Sequence, residues 1–250
     1  MSRRYWIVGA STGIGLELCR LLLMRGDQVY ASARRLGELE QLASQYPNLH
    51  CLPLDVQDSQ ACEAAAQRIA AEGGLDVLVA NAGVCHYMDL PEFDLAKVQQ
   101  TMQVNLVAPM QLTALCLPML KDKGQLVYVS SAAAYLPLPR AQSYGASKAA
   151  LSHYAEIMAS ELPRQQVQVS VVYPGFVDTP LTAQNDFPMP MRLSASRAAQ
   201  IMLRGMDARR STIRFPTSFI LFLRAIALLP TPWRRALIRK TSRYKGKQPS

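Results

Sequence analysis

The chain has 250 residues, of which 50% are hydrophobic and 18% charged, as in an ordinary globular protein with a sizeable core. The formal net charge of +9 is concentrated at the end, since residues 204–250 contain 12 Lys and Arg and one acidic residue. Residues 1–203 contain 15 basic and 17 acidic residues, and this balance argues against nucleic acid as a partner of the main body.

Taken in chain order, the predicted elements alternate between strands and helices. They are a strand at 5–8, a helix at 14–24, a strand at 28–33, a helix at 36–45, a strand at 50–54, a helix at 59–71, a strand at 75–80, a helix at 95–120, a strand at 125–130, a helix at 143–162, a strand at 167–173, a helix at 195–207 and a strand at 211–215. We expect the helix at 95–120 to bend near Pro109, since proline cannot donate to the helical hydrogen bonds. The loop at 174–192 is punctuated by prolines and is long enough for a binding lid.

The fold class follows from this alternation. The strands are nearly continuous runs of Val and Leu, which indicates burial on both faces, as in a parallel sheet covered by helices. The sequence therefore predicts a single doubly wound α/β sheet of the Rossmann type with about seven strands and helices on both faces. A helical tail that is both apolar and basic follows at the C-terminus.

Glycines follow the first predicted strand, in the sequence GASTGIG at 9–15. Glycine lets the backbone approach a pyrophosphate, and the start of the next helix offers free N–H groups and a positive dipole end. The spacing is GxxxGxG rather than GxGxxG, and glycines also occur in ordinary turns. Because this turn joins a strand directly to a helix, we interpret it as a dinucleotide site.

Arginine stands where NAD-binding folds usually place an acidic residue, at the end of the second strand. Ala33 is followed by Arg34 and Arg35, and the next carboxylate is Glu38. A guanidinium matches a 2′-phosphate in charge and in hydrogen-bond geometry. The sequence therefore favours NADP(H) over NAD(H), with two solvated arginines at the start of a helix as the alternative interpretation.

A tyrosine and a lysine are four residues apart in SYGASK at 143–148. On a helix, Tyr144 and Lys148 share a face, so the ammonium can lie near the phenol. A free phenol has a pKa of about 10, and a nearby cation favours the phenolate. The pair is a candidate acid/base for a substrate oxygen, although a YxxxK pair alone also occurs by chance in many helices.

Three further polar residues occur at positions that favour ligand binding. Ser131 follows the fifth strand and Asn81 the fourth, which places both at the carboxyl edge of the predicted parallel sheet. Asn105 is an amide inside a predicted helix, where burial without hydrogen-bond partners would be costly.

Together these motifs resemble those of the classical short-chain dehydrogenase/reductases over residues 5–210. In family order they are GASTGIG at 9–15, Asp55-Val56, NAG at 81–83, VNL at 104–106, SS at 130–131, YGASK at 144–148 and PGFVDT at 174–179. The resemblance implies hydride transfer between a nicotinamide and a carbonyl or alcohol. The chain departs from the family pattern at Val8, where threonine is usual, and at Thr12, where many NADP-preferring members have arginine, so the NADP(H) prediction depends on Arg34 and Arg35.

The resemblance also implies a role for each matching residue. The catalytic tetrad would be Asn105, Ser131, Tyr144 and Lys148: Tyr144 as acid/base, Ser131 orienting the carbonyl, Lys148 also holding the nicotinamide ribose, and Asn105 keeping a water in a proton relay to Lys148. Asp55 would approach the adenine, and Thr179 would contact the carboxamide. The full cofactor-binding set is Gly9, Ser11, Thr12, Gly13, Ile14, Gly15, Arg34, Arg35, Asp55, Val56, Asn81, Ala82, Gly83, Tyr144, Lys148, Pro174, Gly175, Val177 and Thr179.

The function predicted from the sequence is therefore that of an NADP(H)-dependent carbonyl reductase or alcohol dehydrogenase. A catalytically silent dinucleotide-binding sensor or scaffold would usually have lost the tyrosine or the lysine, and nucleotide-sugar epimerases and dehydratases resemble a longer group with a different glycine pattern. Apolar residues in the loop at 176–192 suggest a hydrophobic ketone, aldehyde or secondary alcohol as substrate. We assign residues 1–214 to the catalytic domain and 215–250 to an extension of the same domain.

Assembly and compartment are predicted from other features. The helices at 95–120 and 143–162 carry apolar residues on more than one face, and the resemblance implies that they pair with their copies in a homodimer or homotetramer. The scattered cysteines and the three distant histidines predict neither a disulfide framework nor a metal site. With no signal peptide in the first 30 residues, we expect a cytoplasmic protein.

The tail has two interpretations. Residues 215–230 are apolar apart from Arg224 but too few to span a bilayer, and residues 231–250 add seven Lys and Arg, with Trp233 at the junction. In the first interpretation, the apolar part folds over the active site or onto a partner subunit. In the second, the tail makes peripheral contact with an anionic membrane surface, which would place the protein at the inner face of a membrane.

Overall fold

The computed structural model describes residues 2–162 and 166–241. The strands are β1 (Arg4–Val8), β2 (Gln28–Ala33), β3 (Leu49–Pro53), β4 (Leu75–Ala80), β5 (Leu120–Val129), β6 (Val167–Pro174), β7 (Val177–Asp178), β8 (Leu193–Ser194) and β9 (Thr212–Phe215). The α-helices are α1 (Gly13–Met24), α2 (Gly37–Ala43), α3 (Ser59–Ala71), α4 (Leu95–Met102), α5 (Ala108–Cys116), α6 (Gln142–Glu161), α7 (Pro180–Ala183), α8 (Ala195–Asp207), α9 (Thr217–Ala227) and α10 (Thr231–Arg239).

Seven strands form one parallel sheet in the order β3-β2-β1-β4-β5-β6-β9, which confirms the predicted doubly wound fold. The strand order reverses between β1 and β4. In open α/β sheets, this reversal opens a crevice at the carboxyl ends of the strands, where ligands bind. β7 and β8 form a separate two-stranded pair.

The core consists of two apolar layers, one on each face of the sheet. Successive residues of β1 alternate between them, since side chains alternate across a strand. Tyr5 and Ile7 belong to the layer that contains residues of α1 and α8, whereas Trp6 and Val8 belong to the layer that contains residues of α3, α5 and α6. Both faces of the sheet are covered, which explains why its strands are apolar at nearly every position.

The long helix predicted at 95–120 is interrupted. A π-helical turn at Gln103–Val107 separates α4 from α5. Pro109 gives a physical reason for the turn, because it has no N–H to donate to the carbonyl of Asn105 four residues earlier, and its ring crowds that carbonyl. The bend predicted near Pro109 stays a prediction, and the helix is instead interrupted by this π-helical turn just before the proline.

The described part of the tail forms two helices after the last strand of the sheet, α9 and α10. α9 buries Ile220 and Leu223 against Ala132 and Leu136, close to the carboxyl end of β5. Among residues 2–162 and 166–241, no helix is both long enough and apolar enough to cross a membrane.

Candidate active site

A groove of about 350 Å³ follows the carboxyl ends of the sheet strands. Its lining comes from the segments after β1, β2, β3, β4, β5 and β6, and from the first turns of α6. All the residues predicted to bind the cofactor line this groove except Gly15. The structure thus brings together side chains that lie as far apart in the sequence as Gly9 and Thr179.

The turn between β1 and α1 needs its glycines. Gly9 has φ +87°, and a Cβ there would lie 2.6 Å from the backbone of Ala82. Gly13 has φ +59°, and a Cβ there would lie 2.8 Å from the Thr179 side chain. α1 begins with no side-chain cap and no acidic residue in its first turn, so its exposed N–H groups suit an anion.

Gly15 shapes the turn and does not face the groove. A Cβ at Gly15 would collide with the carbonyl oxygen of Gly9 and would lie 2.7 Å from the Asn81 side chain. Asn81 Nδ2 in turn donates a hydrogen bond of 2.6 Å to that carbonyl oxygen. Close packing of the helix on the turn therefore requires this glycine, and its contact with the cofactor stays a prediction.

Arg34 and Arg35 follow β2, are exposed, and line the groove. The nearest carboxylate downstream in the sequence, that of Glu38, forms an ion pair of 3.3 Å with Arg20 of α1 and does not line the groove. Two guanidinium groups therefore stand where a carboxylate would be needed to bind the ribose 2′-hydroxyl of NAD(H).

α6 places Tyr144 and Lys148 on one face, with Lys148 Nζ 5.9 Å from the centre of the Tyr144 ring. Lys148 is only 3% exposed, and its Nζ donates a hydrogen bond of 2.9 Å to the carbonyl oxygen of Val129. Burial lowers the pKa of Lys148 to about 8, because the charged ammonium loses its solvation.

Tyr144 has the opposite shift. The pKa of its phenol is raised to about 12, mainly by burial and to a smaller extent by the nearby Cys85, while a hydrogen bond with Ser131 partly offsets the rise. The nearby lysine was expected to favour the phenolate, but desolvation outweighs that effect among the chain's own groups. The phenol therefore keeps its proton at neutral pH.

Asn105 is fully buried and does not line the groove. Its Oδ1 accepts a hydrogen bond of 2.9 Å from the N–H of Val84, and its Nδ2 donates to the carbonyl oxygen of Val84 at 2.9 Å and to Ser147 Oγ at 3.1 Å. The side chain thus holds the segment after the NAG motif against α6. These partners satisfy the amide that seemed costly to bury.

A second cavity, of about 420 Å³, adjoins the groove. The two cavities share five residues, Ser131, Tyr144, Gly175, Leu181 and Thr182. Much of the wall is aromatic, since Phe187 packs edge-on against Tyr87 and Phe176, with ring centres 5.6 and 6.1 Å apart. Met189 and Met191, which were predicted to be part of the apolar lid, do not line this cavity.

Several residues of this cavity were not predicted from the sequence. Outside the loop at 176–192 they are Cys85, Tyr87, Ala132, Ala133, Leu138, Pro139, Arg140, Ala141, Phe219, Leu223 and Thr241. Cys85 and Tyr87 directly follow the NAG motif, so their position just beyond the carboxyl edge of the sheet was a usable signal. Phe219 and Leu223 belong to α9, and their place in the wall matches the first interpretation of the tail, in which its apolar part folds over the active site.

Neither a metal cluster nor a disulfide is found in the described part of the chain. Within 2–162 and 166–241, no three His, Cys, Asp or Glu side chains are grouped so that they could hold a metal ion. All five cysteines are free thiols.

Comparison with known families gives a match to the short chain dehydrogenases over residues 4–188. The chain belongs to the short-chain dehydrogenase family. It is therefore an oxidoreductase that acts on CH–OH or C=O groups of small molecules and uses a nicotinamide dinucleotide.

Similar proteins cover most of this short-chain dehydrogenase. An uncharacterized oxidoreductase of Myxococcus xanthus is 33% identical over 242 residues, which cover 94% of this chain and 95% of the relative. The benzil reductase ((S)-benzoin forming) of Saccharomyces cerevisiae is 36% identical over 192 residues, which cover 72% of this chain and 73% of the relative. A crystal structure of a short chain dehydrogenase from Burkholderia cenocepacia in complex with NADP superposes with a TM-score of 0.82 at 25% identity, covering 96% of this chain and 97% of that one.

Proposed function

We propose that this short-chain dehydrogenase is an NADP(H)-dependent carbonyl reductase or alcohol dehydrogenase that acts on a hydrophobic ketone, aldehyde or secondary alcohol. The observation that carries the proposal is that Ser131 and Tyr144 line both the groove and the apolar cavity. A carbonyl held in the apolar cavity can thus meet a hydrogen-bond donor and a proton donor at the boundary with the cofactor groove.

The groove fits NADP(H). The glycine turn and the uncapped start of α1 suit a pyrophosphate, and Arg34 and Arg35 suit a 2′-phosphate. The Burkholderia cenocepacia relative was solved in complex with NADP, which supports this preference. When bound, the cofactor supplies or accepts the hydride at the substrate carbon.

The proton chemistry is assigned to the tetrad. In reduction, the Ser131 hydroxyl donates a hydrogen bond to the carbonyl oxygen, and Tyr144 transfers its phenolic proton to the same oxygen as negative charge develops there. In oxidation, the phenolate takes the proton back. The buried ammonium of Lys148 stabilises the phenolate and has further N–H groups to donate to a ribose hydroxyl, since one of its three donors is already bound by Val129.

Asn105 has two tasks in this proposal. Its side chain positions the segment after the NAG motif through Val84. Its main-chain carbonyl receives no hydrogen bond from Pro109, so it has the capacity to hold the water of a proton relay to Lys148.

The substrate proposal depends on the aromatic wall. Tyr87, Phe176 and Phe187 are joined by edge contacts, and Phe219 packs against Phe176 with ring centres 5.6 Å apart. Such rings favour flat apolar groups. The similarity to a benzil reductase points in the same direction, and aryl ketones are therefore the first compounds to test.

Two further assignments complete the proposal. Residues 215–250 are an extension of the catalytic domain, supported by the packing of Ile220 and Leu223 on Ala132 and Leu136. The protein is a cytoplasmic homodimer or homotetramer that pairs through the α4–α5 segment and α6, which expose apolar side chains such as Val107 and Ile157.

The test is Tyr144→Phe. Turnover of an aryl ketone with NADPH should fall by about a hundredfold or more, because general acid catalysis contributes roughly that much. NADPH affinity, measured by fluorescence titration, should change little. Tyr46→Phe removes a phenol far from the groove and serves as the matched control. Turnover within tenfold of the unmodified protein would show that Tyr144 is not the acid/base.

A further inference from the structure

We propose that α9 and α10 form a docking surface for an anionic lipid membrane, placed beside the entrance to the substrate cavity. This tail surface consists of the outward side chains of Leu221, Phe222, Leu228, Trp233 and Leu237. Membrane binding by this surface stands independently of the reaction. Its use in substrate delivery rests on the proposed function.

The five apolar side chains of the tail surface are exposed to solvent. Leu221 is 53% exposed, Phe222 61%, Leu228 87%, Trp233 68% and Leu237 42%. In the described parts of the chain, 13 large hydrophobic side chains are exposed, and five of them lie in this short stretch. Such a concentration marks an interaction surface, whereas hydrophobic residues scattered singly need no explanation.

Helical spacing puts these side chains on the outer face. In α9, Ile220 and Leu223 point into the protein and are buried, whereas Leu221 and Phe222 point away from it. In α10, Ile238 packs towards the same buried cluster, and Trp233 and Leu237, four residues apart, are exposed. Each helix thus carries apolar side chains both on the side that packs against the protein and on the side that faces solvent.

The positive charge of α9 and α10 favours an anionic partner. Arg224, Arg235, Arg239 and Lys240 are exposed on the same two helices, and none of them forms an ion pair with the described residues. The sequence has no Asp or Glu after Asp207. Apolar side chains with a tryptophan beside basic residues suit the boundary between acyl chains and anionic headgroups.

Other occupants fit less well. In a twofold dimer, the same patch would meet itself, and the basic residues of one copy would face those of the other with no acidic residue between them. Nucleic acid would match the charge but would leave Leu221, Phe222 and Leu228 facing polar phosphates. An anionic bilayer can bind both the apolar side chains, through its acyl chains, and the basic residues, through its headgroups.

The location links the surface to the cavity. Phe219 and Leu223 of α9 line the substrate cavity, and so does Thr241, which follows α10. Ser218 contacts the sulfur of Met191 on the lid loop at 3.9 Å, and Met191 is itself 53% exposed. The helices that would touch the membrane therefore form part of the cavity wall, so a lipid-dissolved carbonyl compound would need only a short path to Tyr144.

The experiment uses flotation with vesicles of phosphatidylcholine alone or with about 30% phosphatidylserine, at low and high salt. The protein should float with the anionic vesicles and be released by high salt. The tryptophans give a second readout. Trp6 is fully buried and insensitive, whereas Trp233 is 68% exposed, so its emission should shift to the blue on binding.

The test variant is Leu221→Ser/Phe222→Ser/Trp233→Ser, none of which lines the groove or the cavity. Its vesicle affinity should drop about tenfold or more, with NADPH affinity and circular dichroism unchanged. Met24→Ser, at a 72% exposed position on α1, is the matched control and should bind as the unmodified protein does. Arg235→Gln/Arg239→Gln/Lys240→Gln keeps the apolar side chains and should lose the preference for phosphatidylserine.

Either of two flotation results would overturn the inference: no flotation of the unmodified protein with anionic vesicles, or equal flotation of the triple serine variant. If the unmodified protein does not bind vesicles and the triple serine variant changes its oligomeric mass, the surface belongs to a second copy. Failure of the proposed function is distinguishable, because it leaves a protein that binds vesicles but reduces no carbonyl compound.

Discussion

Tyr144 and Lys148 have opposite pKa shifts with one cause. Burial disfavours the charged form of each group, so the pKa of the phenol rises to about 12 and that of the ammonium falls to about 8. The phenol therefore keeps its proton throughout the physiological range, while the ammonium titrates near the upper end of that range, around pH 8. This arrangement prepares the site for proton donation, as carbonyl reduction requires.

The pH dependence should reflect this difference. Reduction needs the protonated phenol and the charged Lys148, so its rate should be nearly constant between about pH 6 and 7, below both pKa values, and should fall as Lys148 loses its proton above that range. Oxidation needs the phenolate, whose fraction rises up to tenfold per pH unit below the phenol pKa, so alcohol oxidation should become faster as the pH rises. Initial rates in both directions across this range test the prediction, and oxidation that is equally fast at both ends would contradict it.

The cofactor preference also belongs to the scale of single residues. Arg34→Ala should weaken NADPH binding by about 1–3 kcal/mol, the range for a charged hydrogen-bonded contact, and should leave NADH binding nearly unchanged. Fluorescence titration with both cofactors measures this difference. Arg20→Ala, which removes an arginine outside the groove, is the control. Equal affinity of the unmodified protein for NADH and NADPH would disprove the preference.

At the scale of elements, the walls of the substrate cavity are held together by Arg140. It forms ion pairs of 2.8 Å with Asp89 and 2.6 Å with Asp186, and its guanidinium lies 5.4 Å from the centre of the Tyr87 ring. The segment after β4, the segment before α6 and the lid loop are thereby connected. The Arg140 side chain is only 18% exposed, but the side chains of Asp89 and Asp186 are 52% and 51% exposed, so solvent screens both ion pairs in part.

Arg140→Gln should therefore loosen the cavity and leave the proton chemistry intact. We expect KM for an aryl ketone to rise about fivefold, with kcat within about twofold, since the loss falls on substrate binding. Arg192→Gln breaks a weaker pair on the same loop, at 3.6 Å from a more exposed Asp178, and should change neither constant. Identical KM values for the two variants would contradict the role of Arg140.

At the scale of the whole molecule, a second group of exposed apolar side chains lies on α4, on the π-helical turn before α5 and on α6. Leu95 is 60% exposed, Val107 42% and Ile157 44%. These residues belong to the segments that we propose as the oligomer interface. Pairing of the molecules there would bury these side chains and would not involve the tail helices beside the substrate cavity.

Light scattering at micromolar concentration should give two or four times the chain mass of 27.6 kDa. Val107→Glu/Ile157→Glu should shift the mass towards one chain, because burying two unpaired carboxylates is costly. Met24→Glu, at an exposed position on α1, should leave the mass unchanged. A mass near 27.6 kDa for the unmodified protein would refute the assembly.

The sheet, the glycine turn and the candidate residues of the tetrad could be predicted from the sequence alone. These features depend on local regularities: the apolar period of strands, the glycines that a tight approach requires, and motifs that keep their order along the chain. A bend near Pro109 was also predicted, because proline lacks an N–H. The residues of the cofactor groove were named from the resemblance to the short-chain dehydrogenase/reductases, whose motifs follow the strand ends.

Packing distances, desolvation and burial could be read only from the folded chain, because they depend on residues that are distant in sequence. Gly15 proved to support the turn, and Tyr144 proved to have a raised pKa, because packing distances and desolvation depend on neighbours distant in sequence. The apolar run after Phe215 was compatible with a lid or with a membrane element. Only the folded chain shows that one side of α9 lines the substrate cavity while the other is exposed, since burial is a property of the assembled fold.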